Sequence, residues 1–465
     1  MRRLKHDLGL RFIKLMNVAL MTVPFAFCWE LYYADKITIP FYNLGNWVVV
    51  GLFALLYIMF ARVYDAFLVS VNRISEMVYS QCLAVLFSDC IMFIVIWLLK
   101  RHFPNLVPGL VTLGVQIVLT VLWSVAAHKW YYHSFPPKRT AIVNGYHYGL
   151  EEMIPEYDLQ KKFDVRISVS ARECVVNPDM LQDMETVFLG GVGSHDRNVI
   201  LKYCINRGID VYVIPRIGDI IMSGASKMHM LHLPVLRAGR CNPHPEAKLI
   251  KRLFDIVSSA AVLLVVSPFM LVTALAIKLG DGGPVFYKQD RLTKDGKVFK
   301  VLKFRSMRVD AEKDGVARLS TGDKDDRITP VGRVIRKLRI DELPQLLNIL
   351  GGSMSVVGPR PERPEIAAQY EAELPEFKLR LQVKAGLTGY AQVYGKYNTT
   401  PYNKLQMDLM YIANPSFIED LRIIFATIKI LFLPESTDGV AEGQTTAMGS
   451  EPEYVDEQEK ELQSV

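Results

Sequence analysis

Two adjacent carboxylates, Asp341 and Glu342, follow a strongly basic stretch of the chain. The segment from Arg333 to Asn348 reads RVIRKLRIDELPQLLN, so four basic residues come directly before the acid pair. Carboxylates serve as nucleophiles and as ligands for hard cations such as magnesium, whereas arginine and lysine side chains bind phosphate groups. This spacing predicts chemistry on a phosphorylated substrate, in which cations offset the repulsion between the acids and the phosphate.

Four cations are candidate phosphate ligands. Arg360 stands between two prolines, which restrict its backbone and so favour a preset position. Its alternative interpretation is a surface arginine in a polyproline turn. The same choice between a phosphate contact and a solvated charge applies to Lys303 on a predicted strand and to Lys396 after a glycine, whereas Arg336 is one of the basic residues directly before the acid pair.

A short amphipathic helix is predicted to begin near Asp341. Leucines at 343, 346, 347 and 350 have helical spacing, and Gly351 and Gly352 end the run. A carboxylate at a helix start is stabilised in its charged form by the helix dipole, so we expect Asp341 to be ionised. The alternative is that Asp341 only caps the helix and Glu342 is solvated.

Membrane association is predicted from composition and from four apolar runs. Half of the residues are hydrophobic, and the mean hydropathy is positive. Each run approaches the roughly 20 residues that cross a bilayer as a helix. The basic residues before the first run predict a cytoplasmic N-terminus and four crossings. The runs are approximately Leu15–Tyr33, Trp47–Phe67, Leu83–Leu99 and Leu106–Ala127.

A fifth apolar segment, Leu253–Leu279, contains Ser267 and Pro268 at its midpoint. A proline there removes a backbone donor and bends or breaks a helix. Basic residues flank both ends, which favours a re-entrant hairpin that enters and leaves the membrane by the same face. The alternative is a proline-kinked helix that spans the bilayer.

Between the fourth run and this segment, residues 139–241 predict a small Rossmann-like α/β domain. Strand-length apolar segments alternate with helical stretches, and they are Thr140–Val143, Val165–Val169, Thr186–Leu189 and Asp210–Ile214. The turn after the first strand lacks the glycines that let a dinucleotide approach the backbone, which favours a structural or regulatory role over cofactor binding.

Charge and cysteine usage exclude several other classes. The segment 434–465 carries nine acidic residues and one lysine, which predicts a disordered tail and leaves the rest of the chain more basic than its net charge of +6. That basic body suits anionic lipids and substrates, and no nucleic-acid-binding motif appears. The six scattered cysteines indicate neither a zinc site nor a disulfide framework.

The order of motifs resembles the bacterial polyprenyl-phosphate phosphoglycosyl transferases, the monotopic bacterial sugar transferases. The resemblance covers roughly residues 246–433, and the four helices with a degenerate Rossmann-like domain resemble the long form, as in undecaprenyl-phosphate galactose or glucose phosphotransferases. The matching motifs are KRLFD from Lys251, the pair Ser267 and Pro268, KFRSMR from Lys303, DELPQLLN from Asp341, GPRP from Gly358 and GLTGYAQV from Gly386.

The resemblance implies a fold and an organisation. The expected fold is a membrane α+β protein with four transmembrane helices in residues 1–134 and the Rossmann-like domain in 139–241. A mainly helical catalytic domain follows in 246–433, with Ser267 and Pro268 at the break of its re-entrant helix. The expected location is the bacterial inner membrane, with the catalytic domain cytoplasmic and the protein a homodimer.

The resemblance also implies a reaction. Asp341 attacks the β-phosphate of a UDP-sugar and releases UMP, and polyprenyl phosphate then accepts the phosphosugar, which initiates synthesis of a surface polysaccharide. Glu342 is the implied Mg²⁺ ligand, and the implied phosphate contacts are Arg360, Arg336, Lys303 and Lys396. Ala385 and Tyr394 depart from the family pattern near the sugar-nucleotide side. A non-catalytic membrane regulator or scaffold of polysaccharide assembly is the alternative.

Overall fold

The computed structural model describes residues 2–145, 150–309, 311, 327–395 and 399–431, and these begin with four long apolar helices. They are α1 (Arg2–Cys28), α2 (Asn43–Val63), α3 (Ile74–Lys100) and α4 (Leu106–Ser134). Each lies in a segment long and apolar enough to cross a membrane, and a π-helical and a 3-10 turn extend the first segment to Lys36. The prediction of several apolar helices at the N-terminus is confirmed.

These helices turn polar side chains inward. The first helix contacts α2 and α4, and α3 contacts the same two helices. In their interior, the Asn17 amide donates to Gln81 Oε1 at 3.1 Å and the Tyr57 hydroxyl donates to Asn17 Oδ1 at 2.6 Å. Interhelical hydrogen bonds of this kind stabilise helix packing in lipid, where water is absent. Exposed leucine, valine and phenylalanine side chains cover much of the outside.

A four-stranded parallel sheet follows, with its strands in the spatial order Phe163–Ser170, Lys138–Asn144, Thr186–Gly190 and Asp210–Val213. Its core is a cluster of small and branched apolar side chains that includes Val143, Val187 and Ile200. The predicted α/β region with its four strands is confirmed, whereas the turn at 146–149 lies outside the described residues. The elements are β1 (Lys138–Asn144), α5 (Leu150–Glu156), β2 (Phe163–Ser170), α6 (Ala171–Val176), β3 (Thr186–Gly190), α7 (Ser194–Arg207) and β4 (Asp210–Val213).

The described chain divides into two compact units between Ile214 and Pro215. The second unit opens with α8 (Ile217–Ser223) and an antiparallel hairpin of β5 (Ser226–Met230) and β6 (Leu233–Arg237). Sequence patterns did not predict this hairpin.

The fifth apolar segment lies in α9 (Pro245–Asp281), a 37-residue helix about 55 Å long. The break predicted at Ser267 and Pro268 is not an interruption of the helix, because this pair and the residues on both sides of it are helical. Pro268 has no N–H to donate to the carbonyl of Leu264, and the Ser267 hydroxyl donates to that carbonyl at 2.9 Å instead. The serine thus satisfies the acceptor that the proline leaves open.

The basic end of α9 is anchored in the rest of the second unit. Lys251 donates to Asp420 at 2.7 Å. The guanidinium of Arg252 donates to the carbonyls of Ile349 and Leu350 at 2.7 and 2.8 Å. Asp255, which is 3% exposed, accepts from the Ser355 hydroxyl at 2.9 Å. These contacts join the helix to three separate segments.

The remainder of the second unit consists of short elements around two small sheets. One is the antiparallel pair β7 (Phe286–Leu292) and β8 (Val298–Phe304), and the other is the parallel pair β9 (Ser355–Val357) and β10 (Gly386–Thr388). The predicted acidic tail at 434–465 lies outside the described residues. The helices are α10 (Pro330–Lys337), α11 (Gln345–Leu350), α12 (Pro364–Glu373), α13 (Tyr390–Tyr394), α14 (Pro401–Ala413) and α15 (Phe417–Leu431).

Candidate active site

The acid pair lies in a tight turn between α10 and α11. Arg339 adopts a left-handed conformation with φ 53°, and a 3-10 turn at Ile340–Glu342 follows it. The α-helix begins only at Gln345. The prediction of a helix start at Asp341 was therefore wrong by one turn, because the backbone reverses at Arg339 before the helix forms.

Two cations converge on Glu342. Lys303, on β8, donates from Nζ to Glu342 Oε1 at 2.9 Å, and Arg360 donates from Nη2 to the same oxygen at 2.8 Å. The side chains of Glu342 and Lys303 are 13% and 21% exposed, whereas that of Arg360 is 42% exposed. Glu342 thus holds two of the four candidate phosphate ligands at one point, and the arginine side chain is partly open to solvent.

The electrostatic environment keeps Glu342 ionised. Burial alone would raise the pKa of its carboxyl, but the charges and hydrogen bonds of Arg360 and Lys303 outweigh that effect and hold the pKa well below its usual range. The same attraction raises the pKa of the Arg360 guanidinium. Glu342 and Arg360 are therefore both charged at neutral pH.

Asp341 differs from its neighbour in the direction of its pKa shift. Burial raises the pKa of the Asp341 carboxyl above its ordinary value; Lys303 opposes this and the negative charge of Glu342 reinforces it. The predicted helix-dipole stabilisation does not apply, because Asp341 precedes the helix by a full turn. A carboxylate with a raised pKa is a stronger base and nucleophile once it is ionised.

Arg336 lies on α10 and is half-buried. Its charge lowers the pKa of Asp341, which places it within electrostatic reach of that carboxylate. The structure thus brings Arg336, Lys303 and Arg360 around the acid pair. Lys396 lies outside the described residues.

An asparagine that sequence reasoning passed over fixes the distance between Lys303 and the acid pair. Asn348 lies on α11, accepts from the amide of Leu302 at 2.9 Å and donates to the carbonyl of Lys300 at 2.9 Å. Its side chain therefore ties α11 to β8 on either side of Val301, two residues before Lys303. The final residue of the DELPQLLN motif was the available signal, because a polar side chain there interrupts an apolar helix.

The loop that carries Arg360 is packed backbone against backbone. A Cβ on Gly358 would lie 2.3 Å from the carbonyl oxygen of Lys384, and a Cβ on Gly386 would lie 2.1 Å from the Gly358 nitrogen. Any larger residue at either position would force β9 and β10 apart. The GPRP and GLTG motifs therefore contact each other through the backbone at their glycines.

The donor atoms of the acid pair fit a hard cation. The described contacts of Glu342 use Oε1, so its other oxygen and the Asp341 carboxylate are hard ligands on adjacent residues. Mg²⁺ characteristically binds through one or two carboxylates together with substrate phosphate oxygens. Within the described ranges no group of three or more His, Cys, Asp or Glu side chains is arranged to hold a metal ion. A metal at this site would therefore depend on the substrate for part of its coordination.

Comparison with known proteins addresses this part of the chain. The family model described as bacterial sugar transferase matches residues 246–434. The exopolysaccharide production protein PSS of Rhizobium leguminosarum bv. phaseoli is 46% identical over 189 residues, which make up 39% of this chain and 94% of that protein. The chain belongs to the bacterial sugar transferase family. The family assignment made from the motifs is confirmed.

Two further relatives of this family carry names that specify a reaction. The UDP-N-acetylgalactosamine-undecaprenyl-phosphate N-acetylgalactosaminephosphotransferase of Aeromonas hydrophila is 40% identical, with 50% of this chain and 54% of that protein covered. The UDP-glucose:undecaprenyl-phosphate glucose-1-phosphate transferase of Caulobacter vibrioides is 39% identical, with 44% and 78% covered. The chain thus spans about half the length of the Aeromonas relative and a larger share of the Rhizobium and Caulobacter relatives.

Proposed function

We propose that this protein transfers a sugar-1-phosphate from a UDP-sugar to polyprenyl phosphate, releasing UMP and forming a polyprenyl diphosphate sugar. The observation that carries the proposal is the convergence of Lys303 and Arg360 on Glu342, next to Asp341, inside the region that matches the family. The names of two relatives specify such a transfer, with glucose in one and N-acetylgalactosamine in the other. The product would initiate an exopolysaccharide, capsule or O-antigen.

In the proposed first step, a carboxylate oxygen of Asp341 attacks the β-phosphorus of the UDP-sugar. The bond from that phosphorus to the bridging oxygen breaks, and UMP leaves with the oxygen. In the second step, a phosphate oxygen of polyprenyl phosphate attacks the same phosphorus, and Asp341 leaves as a carboxylate. Splitting the exchange in this way lets the two substrates use one site in turn.

The surrounding residues have separate roles in this proposal. Arg360, Arg336, Lys303 and Lys396 bind the phosphate groups, and their charges offset the repulsion between the substrate and the acid pair. Glu342 holds Mg²⁺, which when bound would neutralise phosphate charge. Because Glu342 is ionised at neutral pH and Asp341 has the raised pKa, we assign the metal to Glu342 and the nucleophile to Asp341.

The experiment that tests the function is a panel of UDP-sugars, including UDP-glucose and UDP-N-acetylgalactosamine, given to membranes that contain the protein and Mg²⁺. We expect UMP release with at least one sugar. In the absence of polyprenyl phosphate, a UDP-sugar labelled with ³²P at its β-phosphate should leave labelled sugar-phosphate attached to the protein. If no member of the panel releases UMP, the non-catalytic regulator becomes the better interpretation.

The five apolar helices indicate a membrane protein, and we further propose that α9 re-enters rather than crosses the bilayer. Both ends of this helix pack on the same compact unit. Lys251 pairs with Asp420 near one end, and Ile277 is buried against Phe304 and Ile335 near the other. Between them, Leu264 and Val265 are among the exposed apolar residues that face away from the protein.

This packing supports a catalytic domain held at the cytoplasmic face of the inner membrane, since a helix that crossed the bilayer would separate Phe304 from Asp420. The four N-terminal helices would then form a separate transmembrane bundle next to a Rossmann-like domain. A homodimer stays a prediction from the family resemblance. Together these features would place the acid pair beside soluble UDP-sugar and at the depth of a lipid phosphate.

A reporter of membrane sidedness fused after Gly280 tests the re-entrant proposal. We expect a cytoplasmic signal, because α9 would return to the face from which it entered. The same reporter fused after Lys100, at the end of α3, should give a signal from the opposite face and serves as the control. A non-cytoplasmic signal after Gly280 would contradict both the re-entrant helix and the cytoplasmic active site.

A further inference from the structure

The loop between β9 and α12 is held at four consecutive backbone carbonyls. Gly358 also donates its amide to the carbonyl of Thr388 at 2.9 Å, so the loop is fixed from its first residue. Four consecutive carbonyls then each accept a hydrogen bond of 2.9 Å. The donors are the Gly386 amide to Pro359, Arg380 Nη2 to Arg360, Arg291 Nη1 to Pro361 and the Leu292 amide to Glu362.

Two of those four donors are guanidinium groups rather than backbone amides. Arg380, from a 3-10 turn at Pro375–Gln382, is 4% exposed and pairs with Asp408 of α14, which is 1% exposed. Its Nε and Nη2 lie 2.9 and 2.7 Å from Asp408 Oδ2. The Phe377 ring lies 4.8 Å from the centre of its guanidinium. One fully buried cation thus joins the carboxylate of Asp408 to the main chain of Arg360.

Arg291 holds the next carbonyl of the loop, that of Pro361. It projects from β7, donates to Gln289 Oε1 at 2.7 Å, and lies 3.8 Å from a carboxylate oxygen of Glu362. Glu362 lies at the same distance from Arg380, so it stands between the two arginines. Burial lowers the pKa of Arg291 to about 10, which leaves it charged at neutral pH.

A buried ionic network of this size is not explained by stability alone. Replacing a buried ion pair with apolar residues is often neutral or stabilising, because desolvation offsets most of the attraction. The polar groups of Arg380 and Arg291 do, however, fix a short loop that has no regular secondary structure. The only residue of that loop that reaches the acid pair is Arg360, at 2.8 Å from Glu342 Oε1 among the described contacts.

We propose that Arg380, Asp408 and Arg291 are positioning residues that hold the Arg360 guanidinium against Glu342. Arg380 acts through the carbonyl of Arg360, Asp408 acts through Arg380, and Arg291 acts through the carbonyl of Pro361. None of the three touches the acid pair in the part of the chain that the structure describes. The inference rests on the proposed function only for the role of Arg360 in binding phosphate. A displacement of about 1 Å at such a group is enough to cost on the order of 100-fold in rate.

A double-mutant cycle with Arg380→Lys and Arg360→Lys tests this inference. Lysine at position 380 keeps the charge beside Asp408, but its single ammonium cannot span the carboxylate and the Arg360 carbonyl as the planar fork does. We expect Arg380→Lys to lower kcat/KM for the UDP-sugar by about 10- to 100-fold. The same change should cost less than about 2-fold when Arg360 is already lysine, because there is then no guanidinium to position.

A control is Glu419→Gln, which weakens a different ion pair in the same unit, with Arg422 on α15. It should leave kcat/KM within about 2-fold of the unaltered protein. Should Arg380→Lys fail to fold, Asp408→Asn replaces it in the cycle, and the same loss of effect in the Arg360→Lys background is expected.

The outcomes separate this inference from the proposed function. Additive losses in the cycle would overturn the positioning role, because they would show that Arg380 acts without Arg360. Full activity of Arg360→Lys would also overturn the positioning role, since the position of the Arg360 guanidinium would then not matter for catalysis. An unaltered protein that releases no UMP contradicts the proposed function itself, and that result is obtained before any variant is made.

Discussion

Replacing Asp341 with asparagine is expected to abolish UMP release and the trapped phosphosugar together. The amide is nearly the same size, but it has no ionised oxygen to form the bond to phosphorus, so the rate should fall by at least about 10⁴-fold. None of the described hydrogen bonds involves the Asp341 side chain, so the fold should be retained. The measurement is UMP release, with labelled sugar-phosphate on the protein as the second readout.

The matched control is Asp290→Asn, the same chemical change at an exposed position on β7. It should release UMP at the rate of the unaltered protein. If Asp341→Asn also released UMP at that rate, Asp341 would not be the nucleophile.

The pH dependence of UMP release gives a second test of Asp341 as the nucleophile. The reactive form of Asp341 is the carboxylate, and its pKa is raised by burial, so activity is present above that pKa and is lost as the pH falls through it. Glu342, whose pKa is held low, stays ionised over that range. The acid limb of the pH–rate profile should therefore lie above the ordinary aspartate pKa of about 3.9.

Glu342→Gln is expected to have the second largest effect, and it should act on both catalysis and stability. The amide is a weak metal ligand, so UMP release should fall by about 10²- to 10³-fold and require more Mg²⁺. Lys303 and Arg360 would also lose the negative charge of the carboxylate to which both of them donate. Because Arg360 is 42% exposed, water would compensate it in part, and we expect a loss of about 1–3 kcal/mol in the free energy of unfolding.

Thermal unfolding and a Mg²⁺ titration of UMP release measure these two effects separately. Glu373→Gln, at an exposed position on α12, is the control and should change neither. A Glu342→Gln protein with an unchanged Mg²⁺ dependence would remove Glu342 as the metal ligand, even if its stability fell.

Much of the fold could be predicted because its elements bury continuous apolar runs. The strand predicted at Thr186–Leu189 is observed at Thr186–Gly190, and the one predicted at Asp210–Ile214 is observed at Asp210–Val213. Parallel strands with both faces covered read as unbroken runs of branched residues, which periodicity detects well. The apolar helices were predictable for the same reason, from length and hydropathy.

The elements that sequence reasoning missed lack such a core. The hairpin of β5 and β6 leaves Met230 and Leu233 exposed, and its turn places Leu231 and His232 at positive φ. Leucine rarely adopts that backbone conformation, and the pair lacks the Asn-Gly or Asp-Gly sequence typical of such turns, so no turn signal was visible. The turn at Arg339 was missed as well, because tertiary contacts there override the local preference for a continued helix.

In the site, the residue types were predictable and their connections were not. The basic and acidic composition predicted that Arg360 and Lys303 belong near Glu342, but not that both donate to one oxygen. That geometry depends on Asn348 joining α11 to β8 and on Arg380 reaching the Arg360 carbonyl. Both contacts join residues far apart in sequence, for which a single chain offers no periodic signal.

The anchoring of α9 has a consequence for how the two proposed substrates would be measured. Lys251, Arg252 and Asp255 fasten the helix to the domain, so the domain stays wherever the helix is immersed. UDP-sugar would then arrive by diffusion through the solution, whereas polyprenyl phosphate would arrive by diffusion within a sheet of lipid. The rate would follow the molar concentration of the first and the mole fraction of the second, and diluting a vesicle suspension would slow only one of the two encounters.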